Sequence, residues 1–511
     1  MGPTSWPCAA CGGGSSKQPV TAASRRGNTL NQNEAPFWEA LTAYARVGVL
    51  PFHTPGHKLR PGAFARLGEV LGEGLFALDP SDMVEAPELD HDFLKALAQA
   101  EELAAELFGA RRSLFLVNGT TGGLHYLLMP VKGSVLIPRF SHQAVYSALV
   151  LAQGRAVYLP AAFDSQWLIP LPPAVEEVAQ ALAREQPEAL VLTHPTYYGT
   201  VSSLAELAQL AKRYGTLLFV DEAHGGHFRF SPALPATGLE CGADAVVQST
   251  HKTLGALTQS SMLHCNNDFW YAKVVQARQM LQTTSPSLVL LAVLDEVRRV
   301  LALQGRELVE RAVELGRRCA RELAALPNVE VGPEHLNADP TRIVFSLREL
   351  GLTGKEVERI LRVDYNIQVE LSDYYHVLAL ISVGDTPESA ARLVQAVGDV
   401  VARRAHLGRE PLPRYKVEFP DLPPAALSLR EGFFQDKEEI PLAEAAGRIS
   451  GGFLTPYPPG VPLIVPGEVF TPEIVEYALW CAGLGWSLRG MAAEQKVLVL
   501  KENGSLCRTV R

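Results

Sequence analysis

Gln248-Ser249-Thr250-His251-Lys252 is the stretch whose reading decides the fold. It follows an apolar run, Ala243 to Val247, that reads as a buried strand. Upstream, a second run, Leu217-Leu218-Phe219-Val220, ends in Asp221. A solubilising surface lysine is one reading of Lys252. The other comes from its neighbours, a histidine and two hydroxyls just past a strand end. A lysine in a partly dry site loses its proton more readily and attacks a carbonyl carbon. The hydroxyls and the imidazole suit an anion, and an acid deep in the same sheet suits a protonated ring nitrogen.

Working outward, strand and helix signals alternate. Ser113 to Val117 reads as a strand and runs into Asn118-Gly119-Thr120-Thr121-Gly122-Gly123, then a helix start. A strand, a Gly/Thr loop and a helix together present backbone N–H groups and a helix dipole to a phosphate. Strands at Val135 to Ile137, Ala156 to Leu159, Ala189 to Leu192 and Leu217 to Val220 alternate with helices. The helices start near Ser141 and span Pro173 to Arg184 and Leu204 to Arg213. Such spacing means crossovers and a largely parallel sheet, in which ligands bind at the carboxyl ends of strands. Asn118 to Thr121, His194 to Tyr198, Asp221 to His224 and Ser249 to Lys252 all fall at such ends.

The rest of the chain divides around this sheet. With 511 residues, more than one core is expected. Residues 1–33 read as a disordered tail or a transit peptide, and residues 34–270 as an N-terminal segment plus the large α/β domain. Glu34 to Val47 and Glu88 to Phe108 read as helices, and Pro51 to Lys58 as a fixed loop near a site. Residues 271–410 read as connecting helices and an α+β domain. Its strands are expected at Val329 to Val331, Arg342 to Leu347, Ile367 to Leu371 and Leu378 to Val383. Residues 411–511 form a further unit, in which the proline-rich run from Thr455 to Leu463 can only be an extended ribbon away from the middle of a sheet. The net charge of −9 argues against a nucleic-acid surface, and no apolar stretch has the length of a membrane span. Seven scattered cysteines fit a reducing compartment, and a lone Cys8-x-x-Cys11 in a Gly/Ser-rich tail is not read as a metal site.

Together the pieces supply what pyridoxal phosphate needs from a protein. Lys252 is the amine that forms an imine, and Asp221 is the anion that pairs with the pyridinium. Thr120, Thr121, Ser249 and His251 are donors for the phosphate, at the loop that Gly119 opens. His142 offers a flat partner for one ring face, and Ala223 a small one for the other.

Six segments carry a more specific resemblance. They are Phe52-His53-Thr54-Pro55-Gly56-His57-Lys58, Asn118-Gly119-Thr120-Thr121, Asp221-Glu222-Ala223-His224, Gln248-Ser249-Thr250-His251-Lys252, Thr283-Thr284-Ser285-Pro286 and Pro456-Tyr457-Pro458-Pro459-Gly460-Val461-Pro462. In this order they resemble the bacterial ornithine/lysine/arginine decarboxylases of the fold-type I pyridoxal phosphate superfamily. The resemblance runs from about residue 35 to near the end. It implies an aspartate-aminotransferase-like large domain, a small α+β domain and a C-terminal decarboxylase domain. It also implies α-decarboxylation of a basic amino acid in polyamine biosynthesis, in a cytoplasmic homo-oligomer that is at least a dimer, without nucleic acid, membrane or metal. Arginine, giving agmatine, is favoured over lysine or ornithine. Lys252, His251 and Asp221 would be catalytic, Ser285 would reach a phosphate across a dimer interface, and Glu370 would meet the distal end of the substrate.

The resemblance departs in three places. His224 stands where the family often has Trp, which leaves open the contact to the ring's phenolic oxygen. The segment Glu88 to Ala98 is compressed, and no receiver-like wing domain precedes the core. An aminotransferase or aldolase on the same fold, or a non-catalytic relative, is the alternative reading.

Overall fold

The computed structural model describes residues 30–81, 92–332, 338–404, 406, 409–415, 418–458 and 460–502. Its first strands are β1 (Arg112–Leu116), β2 (Ser134–Pro138) and β3 (Arg155–Leu159), followed by a small ribbon of β4 (Ala162–Phe163) and β5 (Pro170–Leu171). Then come β6 (Ala189–Thr193), β7 (Leu217–Asp221), β8 (Ala245–Gln248) and β9 (Ser261–Cys265). Apart from the ribbon, these form one seven-stranded sheet in the order β1-β9-β8-β7-β6-β2-β3. Only β9 is antiparallel, to both β1 and β8. The other pairings are parallel, so six strands end on the same edge. The inner strands are buried along nearly their whole length. Apolar runs of this kind are the signature of a sheet covered on both faces by crossover helices.

Close packing of those helices has a local requirement at Gly123, in the helix Gly119–Leu128. A Cβ there would come within 2.9 Å of both Leu116 and Val247. Glycine lets the helix that follows β1 lie directly on the sheet.

A second sheet is built from β10 (Glu330–Val331), β11 (Arg342–Ser346), β12 (Leu371–Ser372) and β13 (Val377–Leu380), in the order β10-β11-β13-β12 and antiparallel throughout. The 37-residue helix Leu288–Ala324 joins the two sheets. Its first two thirds, from Leu288 to Val313, contribute to the core of the large sheet. Ala312, Leu315, Cys319 and Leu323 pack into the core of the second.

The helix Pro36–Val47 lies against this long helix. Its own N-cap, Ala35, has no side-chain acceptor. Buried Asp295 of the long helix supplies one, accepting from the N–H groups of Phe37 at 2.8 Å and Trp38 at 3.3 Å. Arg298 pairs with Asp295 at 2.8 Å and also donates to the carbonyls of Gln32 and Glu34.

The C-terminal region contains β14 (Lys437–Pro441) paired with β17 (Lys496–Leu500), and β15 (Thr455–Tyr457) paired with β16 (Ser487–Arg489). It has its own core, with the helix Pro472–Gly483 contributing Ile474, Ala478 and Cys481. It is fastened to the large sheet through Arg139, just past β2. The guanidinium of Arg139 is fully buried and donates to both oxygens of Glu468, at 2.8 and 2.6 Å, and to the carbonyls of Pro462 and Leu463.

Some boundaries differ from expectation. The helix expected from Glu88 is described only from Phe93, capped by the Asp92 carboxylate on Lys95 N–H. Residues 82–91 and the tail 1–29 lie outside the described residues. The strand expected over Ile367 to Leu371 shrinks to Leu371–Ser372. The Ile367 N–H is instead used to close the preceding helix on Leu361 O, with Asn366 in the left-handed conformation. Among the described residues no helix is long and apolar enough to cross a membrane.

Candidate active site

The site forms where neighbouring parallel strands end. Asp221 is the last residue of β7, in register with Val247 of β8 and Thr193 of β6. It is buried, and its Oδ1 accepts the Ala223 N–H at 3.2 Å. The chain leaving β8 turns at Ser249 into the single helical turn Thr250–Thr253, which carries Lys252. The chain leaving β1 turns at Asn118 and Gly119, where φ is +64°, into the helix Gly119–Leu128. The two turns meet through the hydroxyls of Thr120 and Ser249, 3.1 Å apart. Two hydroxyls and the first turn of a ten-residue helix therefore converge beside Lys252. Helix starts present N–H groups with no partner in the helix. Here the Gly119 N–H is already given to Gln259 O at 2.9 Å, which leaves the anion-facing role to Thr120 and Thr121.

Lys252 Nζ lies 2.8 Å from His224 Nε2. Burial lowers the lysine's proton affinity below the ordinary value and Arg342 adds to this, while Asp221 and Glu370 act against it. His224 is itself held well below the ordinary histidine range, first by burial and then by Arg342 and Lys252. The Nδ1–H of His251 donates to Ser260 O at 2.9 Å. His142 caps the helix Gln143–Ala152 through its Nδ1, is exposed, and is close enough to His224 to oppose a charge there. Ala223 is buried directly after the strand end. Glu370 comes from the second sheet and accepts the Tyr197 hydroxyl at 2.5 Å, and the Tyr197 ring stands edge-on to His224 at 4.9 Å. Ser285 is exposed between the helices Asp268–Leu281 and Leu288–Ala324, its N–H on Thr283 Oγ1. It has no hydrogen bond to the other site residues of its own chain among the described residues.

Sequence reasoning missed four members. Arg342, the first residue of β11, reaches the His224 ring, and Asp339 and His227 sit behind it. Tyr197 lay in a strand-end segment already singled out, but without a role. A charged residue heading an otherwise apolar strand is the one signal that could have drawn attention to Arg342. Beneath the site, Glu222 accepts from Gln248 at 2.5 Å and from Gly238 N–H at 2.8 Å, and His264 donates to Gln248 at 3.2 Å.

The fold and the lysine at the strand ends define an α/β enzyme with its site at the carboxyl edge of a largely parallel sheet. Residues 35–332 match the Orn/Lys/Arg decarboxylase major domain, and residues 423–510 the Orn/Lys/Arg decarboxylase C-terminal domain. The chain belongs to the Orn/Lys/Arg decarboxylase family, whose enzymes remove a carboxyl group from basic amino acids. It is 35% identical to the arginine decarboxylase of Bacillus anthracis, over 88% of this chain and 93% of that one. It is 34% identical to the arginine decarboxylase of Bacillus subtilis, over 90% of this chain and 96% of that one. The solved constitutive lysine decarboxylase of Escherichia coli superposes with a TM-score of 0.76 at 22% identity, over 92% of this chain and 82% of that one, a likeness of fold.

Proposed function

We propose that the chain decarboxylates arginine to agmatine, with pyridoxal phosphate held at Lys252. The residues fit that group. A desolvated amine, a buried carboxylate with one oxygen already fixed by a backbone N–H, and a pair of hydroxyls at a helix start are donors and acceptors for its three polar ends. When bound, pyridoxal phosphate supplies an aldehyde carbon for an amino group and a cationic ring that takes up the electron pair left by carbon dioxide. Lys252 would hold the aldehyde carbon, and Lys252 or His251, its neighbour on the same turn, would supply the proton to the substrate's α-carbon. Asp221 keeps the ring nitrogen protonated, an ion pair that burial strengthens. Thr120, Thr121 and Ser249 would hold the phosphate, His142 would cover one ring face and Ala223 would leave room on the other. Glu370, oriented by Tyr197, pairs with the guanidinium at the far end of the substrate. Ser285, exposed on this chain, would reach the phosphate of a second copy, and the working unit would then be at least a dimer. The product is a polyamine precursor formed in the cytoplasm.

The observation that carries this reading is the joint placement of Lys252 and Asp221 at neighbouring strand ends, in a chain 35% identical to an arginine decarboxylase. The test is an absorbance spectrum with added pyridoxal phosphate, followed by carbon dioxide release from arginine, lysine and ornithine offered separately. A band at roughly 420 nm that is lost in Lys252→Ala, with gas from arginine, is the expected result. Gas from lysine or ornithine instead overturns the substrate, and no band overturns the cofactor site. Glu370→Gln should raise KM for arginine on the order of tenfold or more, the worth of one charge-assisted pair, with a smaller change in kcat.

A further inference from the structure

His224 is placed between two nitrogen donors. Arg342 Nη2 lies 2.6 Å from its Nδ1, and Lys252 Nζ lies 2.8 Å from its Nε2. A guanidinium has only donors and keeps its proton throughout the working pH range. The Nδ1 atom of His224 must therefore offer a lone pair, and a neutral imidazole with a lone pair on Nδ1 carries its hydrogen on Nε2. That N–H points at Lys252. An ammonium has three donors and no acceptor, so it would set hydrogen against hydrogen; a free amine has the lone pair that the N–H requires.

Arg342 is well anchored for this task. It is 1% exposed, its Nε faces Asp339 Oδ2 at 3.3 Å, and its Nη1 donates to Tyr197 O at 3.1 Å. Asp339 in turn accepts from His227 Nε2 at 3.2 Å and from the Thr341 hydroxyl at 2.6 Å.

We propose that Arg342 locks His224 in the Nε2–H tautomer and that this tautomer holds Lys252 as the free amine. The inference rests on Lys252 being the cofactor lysine, and it assigns Arg342 as a positioning residue contributed by the second sheet. The charged groups facing Lys252 are Asp221 and Glu370, which favour the ammonium, and Arg342, which opposes it. Arg342, Lys252, His142 and His227 all oppose a charge on His224, and burial reinforces them.

Two measurements on the cofactor-free protein test the lock. In the first, 15N-labelled histidine spectra of the wild type are assigned to His224 by the signals lost in His224→Phe. The Nε2–H pattern is expected; an Nδ1–H pattern or an imidazolium overturns the lock without any change at Arg342. In the second, trace acylation across pH is read at the Lys252 peptide by mass spectrometry, with exposed Lys212 as internal standard. Lys252 should label as a free amine at lower pH than Lys212.

Arg342→Gln and Arg342→Met lose the same charge, but only the glutamine keeps an N–H for Nδ1. The methionine variant should need about one pH unit more, a tenfold loss of free amine at fixed pH, than the glutamine variant. That difference should vanish in a His224→Phe background. Equal behaviour of the two variants in the wild-type background means that Arg342 acts by charge alone and overturns the lock. Borohydride trapping of pyridoxal phosphate on Lys252 is scored separately. Its failure would remove the cofactor reading, while a normal labelling profile would still stand.

Discussion

Glu222 is a fully buried carboxyl just past the end of β7. Burial pushes its carboxyl from 4.5 up to about 8, although Gln248 and the Gly238 N–H favour the anion. A carboxyl raised on folding binds a proton that the unfolded chain has already released. Stability is therefore highest below the unfolded value and falls as pH rises toward about 8. Glu222→Gln should flatten this decline, an effect on the order of 5 kcal/mol across the window; thermal unfolding of both proteins across that window measures it. Asp221→Asn keeps the shape but loses the charge, and should lower kcat by roughly 10²–10³-fold while Lys252 still binds the aldehyde, which a spectrum reads independently. At this scale the sequence was partly legible. Lys252, Asp221 and the Thr120 loop stand out because hydroxyls, an acid and a lysine at strand ends are unusual company. Arg342 and Tyr197 do not, because a guanidinium or a phenol reads as surface until the fold brings residues far apart in the chain together. His224 could be noticed as a departure, but its tautomer depends on Arg342 and is invisible without it.

Among the elements, the helix Pro36–Val47 depends on another helix for its start. Asp295 does the work of an N-cap from 258 residues away, with Arg298 as counter-ion. Asp295→Ala leaves Arg298 buried without its carboxylate and the Phe37 N–H without an acceptor. The expected cost is about 3–5 kcal/mol, and hydrogen exchange of the amides in this helix should accelerate before those of β6 and β7. Asp295→Asn should cost less, because an amide oxygen can still accept. The elements themselves were largely readable. Apolar runs gave the strands of the large sheet, and the helix expected to end at Phe108 does end there, with Gly109 left-handed after it. Strand direction was not readable, since β9 is as fully buried as the strands beside it and the alternation of residues is the same either way up. Nor could the shortened β12 be foreseen, since the cap on Leu361 competes for the same backbone.

For the whole molecule, the buried Arg139–Glu468 pair fastens the C-terminal region to the large sheet. Removing one partner, as in Glu468→Gln or Arg139→Met, should destabilise by about 3–5 kcal/mol, whereas replacing both with apolar residues of similar size should recover much of that loss. Chemical denaturation of the two single variants and the double variant decides it. This pairing was not legible, because neither residue has a local pattern that points to the other. The same pair sets an order in time. Arg139 leaves the ribosome 329 residues before Glu468, and at roughly 5–20 residues per second it waits tens of seconds for the carboxylate that neutralises it. Through that interval the large sheet carries a cation with no permanent partner on the face that the C-terminal region will cover. A nascent chain stalled before Glu468 should therefore be cut by protease near Arg139, and one released beyond it should be protected. A segment made much later in synthesis thus closes over a strand end that was made well before it.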